Sequence, residues 1–399
     1  APVDGDPRGT VAAEGKIDVL RDLSEPIDLC LGCRACETVC PVQVPFGHIL
    51  EAAKEAVGEE RKAKGSTWGD RVRTGILLHL FPYPGRLRLA GWLLWFLQRA
   101  GIHSLVRNTE FLMNRIPAFF QLGKVLPRVE APHRRLRRGR LLPAIGRKRG
   151  RAAFFAGCIM DEVFHGINRS TVDLLCHAGF EVIIPKNQCC CGALHAHQGM
   201  RELAKQLAKA NIQSFEASGA EVYVNNAGGC GAMLREYDRL FQDEPKWRKR
   251  AARFVERIRD ISEVLVQCGL PAYRKKWEGI IVYQDSCHLR NVQKVVEEPR
   301  KLLRSIPGAV YVEMEGSDSC CGSGGIYNLL HFEKSMKILN DKIKVVLKTG
   351  ATTIVTTNPG CYLQMRLGVE RRGESGHIRV RHLVEVLAEV CLEPKNLPS

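Results

Sequence analysis

The sequence predicts an α/β chain in which two similar lobes follow a small helical N-terminal module. Three observations carry that expectation: a long-period internal repeat, short β-branched strands alternating with helical runs, and a tight cysteine run near the start. Aligned on Cys-Cys-Gly, the phrases FFAGC to Cys158, CCG at Cys190 and Cys191, and VNNAGGC to Cys230 form the first half of the repeat. They are answered by YQDSC to Cys287, CCG at Cys320 and Cys321, and TTNPGC to Cys361. The first spacing is 32 residues in one half and 33 in the other, the second 39 and 40, and the period is close to 130. Agreement at three landmarks implies two related lobes rather than a solenoid.

Composition divides the chain into five parts: 1–65, charged with one cysteine cluster; 66–127, rich in Leu, Trp, Phe and Arg at helical spacing; 128–151, a basic linker; and the lobes 152–270 and 271–399. The linker holds ten Lys or Arg against one acid, Glu130, with prolines and glycines, and is expected to make no core. Within the lobes, strands are expected at Ala153–Ala156, Glu181–Ile184, Val222–Asn225, Ile280–Gln284, Val310–Glu313 and Thr353–Thr357. Each precedes one of the repeated cysteines.

The 399 residues, 45% apolar and 26% charged, describe a globular chain and exclude disorder or collagen-like repetition. Sixteen cysteines, several of them adjacent, read as ligands in a reducing compartment and not as disulfide staples. A net charge of +16 favours nucleic acid, anionic lipid or an acidic partner without choosing among them. No uncharged run is long enough to span a bilayer, and no secretory signal is visible.

The run CLGCRACETVCP places Cys30, Cys33, Cys36 and Cys40 at the spacing C-x2-C-x2-C-x3-C-P, which predicts a 4Fe-4S cluster in a ferredoxin-type module. Zinc would take two such cysteines and two distant ligands. A two-cluster module has two such runs, each lending its last cysteine to the other's cluster, and only one is present. The first methionine is Met113, so the module is expected to be truncated at its N-terminus, leaving Cys30, Cys33 and Cys36 without a fourth ligand and Cys40 unpaired. The alternative is a one-cluster module that Cys40 closes.

In open parallel sheets the carboxyl ends of the strands form the ligand crevice, so loops bearing Cys158, Cys190, Cys191 and Cys230 should converge in one lobe. Cys287, Cys320, Cys321 and Cys361 should do so in the other, giving a second type of iron-sulfur site. Helix N-termini behind these loops favour thiolates, and Gly192, Gly322, Gly324 and Gly325 are expected to clear space for a cluster. Cys176, Cys268 and Cys391 read as core and Cys189 is ambiguous. His195, His197 and His288 read as neighbours of the ligand loops more than as ligands. The Trp92, Trp95, Phe96 stripe reads as core, interface or membrane-surface contact, and the arginine run lacks the interleaved aromatics that stack on bases.

With these motifs in hand, nearly the whole chain resembles the iron-sulfur subunits of bacterial glycolate oxidases. The wider group includes lactate-utilisation iron-sulfur proteins and heterodisulfide reductase subunits with Cys-Cys-Gly domains. The likeness rests on DPRGTVAAEGKID, EPIDLCLGCRACETVCPVQVPFGHILEAAKE, CCCGALHAHQG, AGGCGAMLREY, DSCHLRNVQ, SCCGSGGIYNL and TTNPGCYLQM. It implies an electron-transfer subunit of the oxidoreductase, carrying electrons from a flavin-containing partner, where glycolate becomes glyoxylate, toward the respiratory chain. It also implies a cytoplasmic location, with quinone contact or peripheral attachment at the inner face of the cell membrane. The heterodisulfide-reductase motif ends in C-x2-C, whereas Ala227 and Asn358 stand at the first of those positions here, leaving four of five family ligands in each lobe. No G-x-G-x-x-G follows a strand, so no flavin or nicotinamide site is expected in this chain. Rival readings are a lactate or heterodisulfide-reductase-like subunit and, from another class, a basic nucleic-acid-binding protein with a structural metal centre. Of these partners, the flavin subunit is expected and nucleic acid is not.

Overall fold

The computed structural model describes residues 18–65, 67–101 and 117–393. Most of the phrase from Asp6 to Asp18 therefore lies outside the described residues, as does 394–399.

The two lobes are built on mainly parallel sheets. In the first, β1 (Leu141–Leu142), β2 (Gly150–Phe154), β3 (Phe180–Ile183), β4 (Val222–Asn225) and β5 (Ile258–Asp260) lie in the order β1-β3-β2-β4-β5. Only β1 is antiparallel. In the second, β6 (Gly279–Tyr283), β7 (Ala309–Val312), β8 (Thr353–Thr356) and β9 (Arg379–His382) lie in the order β7-β6-β8-β9, all parallel. With β1 set aside the two orders are the same, so the repeat read from the cysteines is a repeat of topology. Each expected strand is present with its ends within two residues, except that β2 begins three residues earlier than expected, at Gly150.

Sheet residues such as Phe154, Val182, Val224, Val282, Ile354 and Val355 are fully buried beneath the covering helices, which accounts for the near-continuous apolar character of these strands. The last residue of each sheet's final strand caps the helix that follows. Asp260 accepts from Ser262 N and forms a capping box with Glu263; His382 accepts from Val384 N and forms one with Glu385.

The N-terminal module comprises a short π-helical turn (Val19–Leu23) and helices Ser24–Leu29, Ala35–Val39 and Phe46–Lys64. Helices Trp68–His79 and Pro84–Arg99 follow, the first opened by a Thr67–Asp70 capping box and the second by a proline at its first position. Trp92 and Phe96 stack with ring centroids 5.9 Å apart and are about half exposed, whereas Trp95 is partly buried. Among the described residues no helix is long and apolar enough to cross a membrane.

The basic stretch differs from the coreless linker expected of it. Arg135 pairs with Glu162 at 2.6 Å and Arg138 with Asp161 at 2.8 Å, all four side chains largely buried. Val129 is also buried, and β1 extends the first sheet. The physical reason is that the neutralising acids lie in the helix Ile159–Glu162, directly after Cys158. The charge is balanced in space and not along the chain.

Candidate metal centres

In each lobe the first strand connects to a neighbour on one side, and the chain then crosses to the other side. The reversal therefore falls between β2 and β4, and between β6 and β8, where a crevice opens at the carboxyl edge. The repeated cysteines sit there. Cys158 precedes the helix Ile159–Glu162, Cys190 and Cys191 follow β3, and Cys230 is the third residue of the helix Gly228–Arg235. In the second lobe Cys287 opens the helix Cys287–Asn291, Cys320 and Cys321 follow β7, and Cys361 is the third residue of the helix Pro359–Arg371.

The structure brings each quartet together as a row of interacting thiols. Cys158 meets Cys190, Cys190 meets Cys191, and Cys191 meets Cys230. Cys287, Cys320, Cys321 and Cys361 repeat the pattern. The hydrogen bond with Cys190, then burial, holds the Cys158 thiol well above the ordinary range. Cys320 is driven the other way, chiefly by its hydrogen bonds with Cys287 and Cys321.

Backbone amides point at a sulfur in each of the three cysteine groups: Gly32 N to Cys30 Sγ at 3.5 Å, Gly192 N to Cys190 Sγ at 3.5 Å and Gly322 N to Cys320 Sγ at 3.4 Å. Among the described residues, no three His, Cys, Asp or Glu side chains are grouped as ligands of one metal ion would be. Rows of adjacent thiols with N–H donors on sulfur suit a polynuclear iron-sulfur group, whose thiolates attach to different irons.

Two of the loop glycines have a packing role. Gly192 and Gly322 have φ of +89° and +90° and press on the following helix. A Cβ would lie 3.4 Å from Ala204 Cα in the first case and 2.9 Å from Ser335 O in the second. They let the Cys-Cys-Gly loop pack closely onto that helix.

In the N-terminal module Cys33 lies near Cys30 and Cys36, and also near Cys320 of the second lobe. Asn291, at the end of the Cys287 helix, donates to Cys33 O at 2.8 Å. Cys40 interacts instead with the amides of Val44, Val42 and Gln43. The module is fixed to the first lobe by Arg34, which reaches Glu37 and Glu236 at 2.8 and 2.7 Å, and by His197 Nδ1, 2.8 Å from Glu51.

His195 is buried and its Nε2 donates to Leu77 O at 2.9 Å, which ties the helix Trp68–His79 to the first lobe. His288 Nδ1 stands 3.4 Å from Cys287 Sγ. Cys189 faces Leu207 O and Asn211, with burial pushing its thiol up to about 12; Cys176 and Cys391 are buried in the core, and Cys268 packs at its edge.

Sequence reasoning missed the residues behind the loops. Asn211 accepts from Cys189 N at 2.9 Å and donates to Cys190 O at 3.0 Å, and Tyr237 donates to Cys191 O at 2.8 Å. Lys342 does the corresponding work in the second lobe, bonding Gly316 O, Ser319 O and Ser319 Oγ. The lobes meet along the loops after β4 and β8. Gly228 N donates to Thr357 O at 3.0 Å, Gly229 N to Asn358 Oδ1 at 3.0 Å, and His382 Nε2 to Asn226 O at 2.9 Å.

A family model described as a cysteine-rich domain matches residues 152–235 and 281–366. Another, described as the linker region of the glycolate oxidase iron-sulfur subunit, matches 68–126. A Bacillus subtilis (strain 168) protein named probable glycolate oxidase iron-sulfur subunit is 46% identical over 393 residues, 96% of this chain and 88% of its own. Lactate utilization protein A of an Exiguobacterium species is 31% identical over 238 residues, 59% of this chain and 96% of its own, and that of Bacillus subtilis 30% over 59% and 98%. A hypothetical protein from Helicobacter pylori overlays 68% of this chain and 54% of its own with a TM-score of 0.44 at 9% identity, a likeness that carries no argument.

Proposed function

The chain belongs to the family of glycolate oxidase iron-sulfur subunits, and we propose that it conducts electrons within a glycolate oxidase. It would take them from a flavin-containing partner at which glycolate becomes glyoxylate and pass them toward the respiratory chain. The observation that carries this reading is 46% identity along 96% of the chain to a relative bearing that name. In support, two thiol quartets, each with two buried and two partly buried members, lie in the domains that the cysteine-rich model matches.

Cys158, Cys190, Cys191 and Cys230 would hold one iron-sulfur group, and Cys287, Cys320, Cys321 and Cys361 another. Cys30, Cys33 and Cys36, with Cys40 directed elsewhere, would belong to a ferredoxin-type 4Fe-4S centre. Bound there, these groups supply one-electron carriage at potentials set by burial and by hydrogen bonds to sulfur. The chain's own residues direct the Gly32, Gly192 and Gly322 amides at the sulfurs and hold the N-terminal module against both lobes.

The docking surface for the partner would lie beside the module. The exposed apolar residues of the two long helices, Trp68 and Leu89 among them, would touch the assembly or the inner face of the membrane. Lactate as substrate is the lesser reading. The lactate utilization relatives match only 59% of this chain, whereas residues 68–126 match the linker region of the glycolate oxidase subunit.

Dye reduction by the anaerobically loaded chain mixed with its flavin partner tests the proposal. Reduction driven by glycolate, absent with lactate, supports it, and iron-free, colourless preparations would overturn it. No salt-sensitive binding of DNA or RNA is expected.

A further inference from the structure

The two lobes share topology, but the surroundings of their sulfurs differ at three corresponding positions. The residue three before the last cysteine is Ala227 in the first lobe and Asn358 in the second. Asn358 Nδ2 lies 3.7 Å from Cys361 Sγ. Its orientation is fixed from across the seam: Gly229 N–H donates to Asn358 Oδ1 at 3.0 Å, so the oxygen is committed as acceptor and the amide's donor end must face the sulfur.

The second position lies behind the Cys-Cys-Gly loops. Seven residues past Ala204, which packs under Gly192, stands the neutral Asn211. Seven past Ser335, which packs under Gly322, stands Lys342. Lys342 is 5% exposed, and three acceptors, Gly316 O, Ser319 O and Ser319 Oγ, take the three protons of an ammonium. Burial lowers the Lys342 pKa, and the attraction of Cys321 and Cys320, then of Asp318 and Asp285, works against that loss. The buried carboxylate nearest this network, Asp285, is neutralised by Arg300, which reaches its two oxygens at 3.0 and 2.8 Å. The third position, directly after the first cysteine, is Ile159 in one lobe and His288 in the other, with Nδ1 3.4 Å from Cys287 Sγ.

Donors and positive charge beside cluster sulfurs stabilise the reduced, more negative state and so raise the reduction potential. We infer that Asn358 and Lys342 are positioning residues that make the second-lobe centre the higher-potential of the two and the place where an electron rests. The inference depends on the proposed iron-sulfur occupancy of both quartets. It gives the pair a direction: the ferredoxin-type module, whose Cys33 lies near Cys320, abuts the lobe whose centre is the sink.

The test is a redox titration of the anaerobically loaded full chain, followed by electron paramagnetic resonance. Cys190→Ser and Cys320→Ser assign one signal to each lobe. The signal lost with Cys320→Ser should have the higher midpoint. Asn358→Asp keeps the oxygen that accepts from Gly229 but replaces the donor by a carboxylate oxygen. It should lower that midpoint and leave the first-lobe midpoint in place, and Lys342→Gln should act in the same direction. Equal or reversed midpoints, or an Asn358→Asp midpoint unchanged, would overturn the inference. Should Lys342→Gln fail to fold, Asn358→Asp decides alone. Iron and sulfide counts on the unsubstituted chain keep the two questions apart, since a chain without iron refutes the conducting role itself, whereas a loaded chain with the wrong order of midpoints refutes only the asymmetry.

Discussion

Replacing Arg34 by alanine should loosen the N-terminal module from the first lobe while both remain folded. The guanidinium is 9% exposed and meets two carboxylates at once, those of Glu37 and Glu236, themselves 14% and 17% exposed. Removing one partner of a buried pair costs about 3–5 kcal/mol, because the other charge is left uncompensated. Glu236 keeps Arg239 at 3.0 Å, so the lower end applies, about 3 kcal/mol, or about a hundredfold in the ratio of docked to undocked module. Hydrogen exchange resolved by peptide reads this directly, since local opening sets the rate of the helix Phe46–Lys64. In the Arg34→Ala chain that helix should exchange about a hundred times faster, while β6 and β8 are unchanged. Arg34→Lys, which keeps the charge but not the forked contact, should fall between. If Arg34→Ala left the protection of Phe46–Lys64 as it was, the module would be held by something other than this pair and the reasoning would fail.

Further outcomes are expected. Gly322→Ala should destabilise the second lobe by about 2–3 kcal/mol in urea titrations, combining left-handed strain with the carbonyl contact, and Gly192→Ala by about 1–2 kcal/mol from strain alone; equal effects would contradict the packing described. Cys189→Ala should retain the iron content of the chain while Cys190→Ala lowers it, as measured by metal analysis of anaerobic preparations. The buried His382 is neutral, burial holding it at about 4, and its Nδ1 caps a helix. Protonation therefore favours the unfolded chain below the ordinary histidine value. The stability His382 contributes is present above about pH 6.5 and is lost as pH falls toward 4, about 2 kcal/mol of it by pH 5. His382→Gln should flatten the dependence of the urea midpoint between pH 7 and pH 5, and an unaltered slope would exclude the linkage.

The six expected strands were legible because parallel strands buried on both faces leave apolar runs such as Ile280 to Val282, and the cysteines marked where each run ended. The gathering of thiols could be read from topology alone, since it follows from which ends of the strands share an edge. Other features could not be read. Leu141 and Leu142 are too short a run to announce a strand, and β1 exists only because β3 offers an open edge. The partners of Arg135 and Arg138 lie more than twenty residues along the chain, so local charge counting registered an unbalanced stretch. Asn358 looked like a lost ligand, and its role emerges only with Gly229 of the other lobe in place.

At the meeting of the loops after β4 and β8, Gly228 N–H, Gly229 N–H, Thr357 O, Asn226 O and Gly228 O are main-chain groups, and Asn358, His382 and Gln293 enter through side chains. A joint made chiefly of backbone survives mutation of most residues that form it. Because peptide groups hold much of the alignment, the two lobes differ in electronic character, one with an amide and an ammonium beside its sulfurs, and still face one another. Separately expressed halves would expose these peptide groups to solvent and lose the anchor that aims Asn358, so the asymmetry is a property of the joined pair.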